Sequence, residues 1–113
     1  MQRDPIVLFD EILNAISEIR SFLSGITELI QYKNDLKTKK AVERNLEIIG
    51  EAVKKIPNEI KEKYPDVEWR KVAGLRDFLI HGYYEIDDEV IWSVIENKME
   101  VLKSQIDLIK SQY

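Results

Sequence analysis

Apolar residues recur at steps of three and four along most of this chain. Ile6, Phe9, Leu13, Ile16, Ile19 and Leu23 form the first series, the spacing that lines one face of a helix with about 3.6 residues per turn. Asp4-Pro5 stands directly before it. Asp caps free N–H groups, and Pro fits the first helical position, where its missing donor costs nothing. Gly25 marks the expected end or a kink. Ile26, Leu29 and Ile30 make a short second patch ahead of the polar run Gln31 to Lys40. Val42, Leu46, Ile49, Val53 and Ile56 then give the cleanest stripe, with Glu43, Arg44, Glu47, Glu51, Lys54 and Lys55 on the other face. Pro57 stops this helix or starts the short one suggested by Asn58 to Tyr64, and Pro65-Asp66 reads as a connection. A shorter helical segment runs from about Trp69 through Val72, Leu75, Phe78 and Leu79 to His81, with Gly82 as its breaker. Asp87 or Asp88 caps a last long helix, striped by Ile91, Ile95, Met99, Leu102, Ile106 and Ile109. No stretch alternates as a strand. The pattern predicts one all-α domain over residues 1–113, a bundle of four main helices plus short helical pieces.

Three departures from a plain amphipathic pattern stand out. Gly50 lies inside the cleanest helix, where glycine costs roughly 1 kcal/mol against alanine, so it predicts a close helix contact. Glu47 and Glu51 form an adverse same-sign pair one turn apart. The stripes of the first and last helices are wide, with Phe9, Phe22, Trp92 and the doubled positions Leu8/Ile12 and Val94/Ile95. Such width either fills one core or leaves a face for dimerisation.

Composition narrows the function. With 34% charged and 44% hydrophobic residues among 113, the chain is too apolar for disorder and too polar for a membrane protein. No run approaches the ~18–20 apolar residues of a membrane span. The start, Met1 to Pro5, has no apolar signal core, so the expected compartment is the cytoplasm. There is no cysteine, which excludes disulfides, thiolate zinc sites and cysteine nucleophiles. A single histidine excludes a multi-histidine metal site within one chain. The net charge of -4 argues against broad, charge-driven binding to nucleic acid, though not against a small basic site.

Candidate chemistry concentrates in Gly74 to Tyr84. This segment holds the only histidine, His81, with Arg76 and Asp77 before it and Tyr83 and Tyr84 after it. Asp77 and His81, four apart, face each other on a helix, so the carboxylate can orient the imidazole or raise its pKa. Arg76 and His81, five apart, are separated by roughly 140° around the helix. They converge if the arginine wraps round or the helix ends early. Two copies related by a two-fold axis would instead pool two arginines and two histidines. Without metal or cysteine, such a set matches RNA cleavage. One histidine deprotonates the 2′-OH and another protonates the leaving 5′-oxygen, while arginine holds the phosphate. The products would be a 2′,3′-cyclic phosphate and a 5′-hydroxyl. On the spacing alone, a single histidine near a helix end is more often a capping or packing residue.

Arg76-Asp77-Phe78-Leu79-Ile80-His81-Gly82-Tyr83 resembles the Arg-x4-His-x-Tyr motif of HEPN domains. The match is closest to the HepT-like toxins, ribonuclease partners of a minimal nucleotidyltransferase in type VII-like toxin–antitoxin pairs. Ala41 to Ala52, Tyr64-Pro65, Trp69-Arg70-Lys71, Gly74-Leu75-Arg76 and Ile91-Trp92 look like the same family. The resemblance implies an all-α homodimer with a composite cleft at the interface. It implies Arg76 and His81 as catalytic residues, with Asp77 in support, and an RNA substrate. It also implies Tyr83 as the residue to which the nucleotidyltransferase antitoxin attaches AMP units, with Tyr84 adjoining it. Many HEPN proteins have Asn where this chain has Asp77, so extra negative charge here would tune activity. The reading needs no cofactor and no metal.

Arg44 and Asn45 are candidate cleft-lining residues, or else a solvated charge and a buried hydrogen bond. Arg70 and Lys71 are further candidates for the cleft border, as clustered cations that guide RNA or merely solvate the surface. Trp69 and Trp92 suit a core or interface better than base stacking. The acidic residues Glu85, Asp87, Asp88 and Glu89 most simply serve the N-terminus of the last helix. Two other functions fit the sequence: a non-catalytic nucleotide-binding or accessory subunit of a nucleotidyltransferase complex, and a purely structural helical dimer.

Overall fold

The Asp4 carboxylate accepts from the Ile6 amide at 2.9 Å and opens α1 (Pro5–Phe22), with Pro5 in its first turn. The computed structural model describes residues 4–81 and 87–113. Six more helices follow: α2 (Leu29–Lys33), α3 (Leu36–Lys55), α4 (Asn58–Lys63), α5 (Trp69–His81), α6 (Asp88–Asn97) and α7 (Met99–Lys110). Among the described residues there is no strand, and no helix is long and apolar enough to cross a membrane.

The bundle is organised around α3, which packs most extensively against α1 on one side and α5 on the other. α7 closes against α1, and α2 bridges α3 and α6. Phe9, Ile12, Ile16 and Ile19 of α1 meet Val42, Leu46, Ile49 and Val53 of α3 in one core, each at 1% exposure or less. Burying each such side chain stabilises the fold by roughly 1.5–3 kcal/mol. Ile91, Ile106 and Ile109 complete the core from α6 and α7. The doubled positions Leu8 and Ile12 point into this same core, whereas Phe22 is 47% exposed.

Several boundaries differ from the sequence expectation. α1 ends at Phe22, capped at Leu23, because the chain turns through Gly25 at φ +83°, a conformation suited to glycine. The polar run 31–40 is mostly helical, ending α2 and opening α3. Glu28 and Gln31 form a reciprocal capping box that starts α2, and Asp35 accepts from the Thr38 amide at 3.0 Å to start α3. The backbone and side-chain hydrogen bonds from Thr38 hold the Asp35 carboxyl below its ordinary pKa. Tyr32, inside that polar run, is fully buried and packs on Trp92 with ring centroids 5.6 Å apart. Glu43, expected on the solvent face, is buried at 7% exposure.

The last long helix bends at Lys98 into α6 and α7. The helical bonds Lys98 N–H to Val94 O and Leu102 N–H to Lys98 O continue through the joint, at 2.9 and 3.0 Å. Asn97 is a weak helix former, and Lys98 reaches sideways to Glu68 at 3.4 Å. The acidic residues at the start of α6 do serve that terminus: Asp87 caps Glu89 and Val90. Asp88 pairs with Lys39 at 2.8 Å and Glu89 with Lys33 at 3.4 Å. Gly82 and Glu85 lie outside the described residues.

Candidate active site

Gly50 brings α5 onto α3. A Cβ at this position would stand 2.9 Å from the Arg76 amide nitrogen, 3.0 Å from Arg76 Cβ and 3.2 Å from the Val72 carbonyl oxygen. Only a residue without a side chain permits that approach. The contact places Arg76 directly over the α3 strip that carries Arg44, Glu47 and Glu51.

Three ionic contacts define the site. Arg76 Nε lies 2.5 Å from Glu51 Oε2, and Arg76 Nη1 donates to Asp77 Oδ1 at 3.3 Å. Asp77 Oδ1 also accepts from Lys54 Nζ at 3.5 Å. Beside them Arg44 Nη1 donates to Glu47 Oε2 at 3.1 Å. Arg44, Glu47, Ile48, Glu51 and Arg76 line one surface depression of about 290 Å³. The two same-sign carboxylates of α3 are therefore each matched to a guanidinium, one from α3 itself and one from α5. All these groups keep contact with water, the Arg76 side chain being 33% exposed, so the pairs act more on geometry than on stability.

The other candidate residues divide. Arg44 shares the depression with Arg76. Asn45 does not: it is 4% exposed, its Nδ2 donates to the Ala41 carbonyl at 3.0 Å, and among the described residues its Oδ1 has no donor. Its helical position, one residue round from Arg44, turns it toward the interior. Arg70 is exposed near the start of α5. Lys71 faces a different groove of about 230 Å³, with Leu46, Val72, Leu75, Val101 and Leu102. Trp69 is buried and donates from Nε1 to the Tyr64 carbonyl at 2.9 Å. The backbone of His81 ends α5, five residues after Arg76. The His81 side chain, Tyr83 and Tyr84 lie outside the described residues. Glu51 and Lys54 are the site members that sequence reasoning assigned only to a polar face. The adverse Glu47/Glu51 spacing was the signal available for Glu51.

A partly exposed arginine next to a second arginine, on the helix that ends in the only histidine, suits an anionic substrate such as a phosphodiester. Among the described residues no group of three or more His, Cys, Asp or Glu side chains converges as metal ligands do.

Comparison with known proteins agrees with that chemistry. The ribonuclease HepT-like family model matches residues 12–109, so the chain belongs to the HepT-like ribonuclease family. Its relatives include a candidate ribonuclease HepT of Thermococcus cleftensis, 37% identical over 97% of this chain and 99% of that protein. Two candidate RNases of Methanocaldococcus jannaschii are also similar. One is 45% identical over 79% of this chain and 73% of its own length. The other is 37% identical over 96% and 88%. No solved structure matches the chain.

Proposed function

We propose that this protein is a metal-independent endoribonuclease toxin. It works in the cytoplasm as a homodimer and is neutralised by a nucleotidyltransferase antitoxin that attaches AMP to Tyr83. The observation that carries the reading is the guanidinium pair: Arg76 and Arg44 open into one depression, in a chain of the HepT-like ribonuclease family. Arg76 holds the scissile phosphate and stabilises the charge that builds on it in the transition state. His81 takes the proton from the ribose 2′-OH, whose oxygen attacks phosphorus. The P–O5′ bond breaks, and the 5′-oxygen leaves with a proton from His81 of the partner subunit. Phe78, 41% exposed on α5 beside Asp77, gives the helix an apolar side chain for that pairing.

The test is cleavage of single-stranded RNA by the purified protein in excess EDTA. Cleavage with 2′,3′-cyclic phosphate ends is expected. Arg76→Ala and His81→Ala are each expected to lower the rate by at least ~10²-fold with the fold intact. Wild-type rates from either variant would sink the mechanism. Absence of cleavage by the wild type, together with tight nucleotide binding, would favour the accessory-subunit reading.

A further inference from the structure

We propose that Glu51 is a positioning residue for Arg76, and that adjacent residues of α3 set both ends of the arginine side chain. The inference rests on the reading of Arg76 as the phosphate-binding group. An arginine has many rotamers, and a phosphate-binding guanidinium is effective only when those are restricted before substrate arrives. Two observations supply the restriction. At the backbone end, Gly50 lets the Arg76 amide nitrogen and Cβ approach α3 to distances no other residue would allow. At the guanidinium end, the neighbouring residue Glu51 lies 2.5 Å from Nε.

The division of the guanidinium supports positioning over competition. Glu51 lies against Nε and Asp77 against Nη1 at 3.3 Å. Two contacts use only part of the five guanidinium N–H donors, and Arg76 lines the depression it shares with Arg44. A carboxylate that merely mimicked the phosphate would span two guanidinium nitrogens, whereas the closest approach of Glu51 is to Nε. The arrangement also accounts for Glu47 and Glu51 on one strip of α3, since each carboxylate faces its own arginine.

The full-length protein carrying Glu51→Ala or Glu51→Gln is compared with wild type and with Arg76→Ala in the RNA cleavage assay. Helical content and assembly mass serve as controls. Glu51→Ala is expected to lower kcat by roughly tenfold to a hundredfold while KM moves by less than about threefold. Glu51→Gln keeps an acceptor oxygen of the same reach and is expected to recover most of that loss. The Nε–H resonance of Arg76, read by NMR without any turnover, should be distinct in wild type and Glu51→Gln and exchange-averaged in Glu51→Ala. Cleavage by Glu51→Ala at or above the wild-type rate, with a lower KM, would overturn the proposal and make Glu51 a competitor of the phosphate. Arg76→Ala separates the two layers. If it is inactive while Glu51→Ala is fully active, only the positioning role fails. If Arg76→Ala cuts normally, the active-site reading fails with it.

Discussion

Tyr32 carries the most perturbed side chain described. Its ring is fully buried against Trp92, and its hydroxyl has no partner among the described residues. Burial pushes its pKa above the ordinary value of 10.0, and the charges of Glu43 and Asp88 push it further. The sign of the consequence follows from linkage. The folded state holds this proton where the unfolded chain releases it, so stability is complete below pH 10.0 and falls as the pH rises above that value. The expected slope is about 1.4 kcal/mol lost per pH unit in that window. Tyr32→Phe removes the titrating group, so its stability should hardly fall on this account. Denaturant unfolding of both proteins at several pH values between about 8 and 11 checks it; parallel curves would refute it. The burial of Tyr32 was not legible in the sequence, because its neighbours Gln31, Lys33 and Asn34 are polar and α2 is only five residues long. What buries it is the docking of α2 on α6, a contact between segments far apart in the chain.

On the scale of elements, the sequence was most informative where one helix has one buried stripe. Val42, Leu46, Ile49, Val53 and Ile56 are all buried as their spacing predicts. Asp4-Pro5 starts α1 for the reasons local chemistry gives. Gly50 anticipated a close contact but not its partner, which proves to be Arg76. In an open helix Gly50→Ala would stabilise by roughly 1 kcal/mol. Here the added methyl meets backbone, which cannot swing aside. The variant should lose stability, by roughly 1–3 kcal/mol for an overpacked contact. A lower urea midpoint at unchanged m-value is the expected result, and a raised midpoint would show that α5 yields freely. The bend at Lys98 was hidden because the apolar stripe runs through it at the same spacing, from Ile95 to Met99. Only the divergence of α6 and α7 over their different partners makes it visible.

For the whole molecule, the acidic balance of -4 and the paired arginines describe one design. The body discourages indiscriminate RNA binding, while guanidiniums are gathered into one depression. AMP attached to Tyr83 under the proposed function would add bulk and phosphate charge that oppose RNA binding. Under the proposed function, incubation with the cognate nucleotidyltransferase and ATP should add mass in AMP steps and suppress cleavage. Tyr83→Phe should block both effects, as read by intact-mass spectrometry. Addition that survives the change would move the site, with Tyr84 next in line.

The sequence by itself determined the helical class, most helix starts and the face of each long helix that is buried. These depend on periodicity and on capping chemistry within a few residues, and both are local. It also presented Arg76, Asp77, His81 and Tyr83 as a group, because the motif is contiguous. Tertiary structure alone decided which distant residues surround Arg76. Glu51 and Arg44 stand more than twenty positions away, and they reach the same depression only because a missing side chain at Gly50 lets α5 lie against α3. It also buried Glu43, which the pattern placed on the polar face, and gave Asn45 a buried hydrogen bond in place of a position at the cleft. Periodicity specifies a buried face, whereas the width of that face depends on how many helices pack around it.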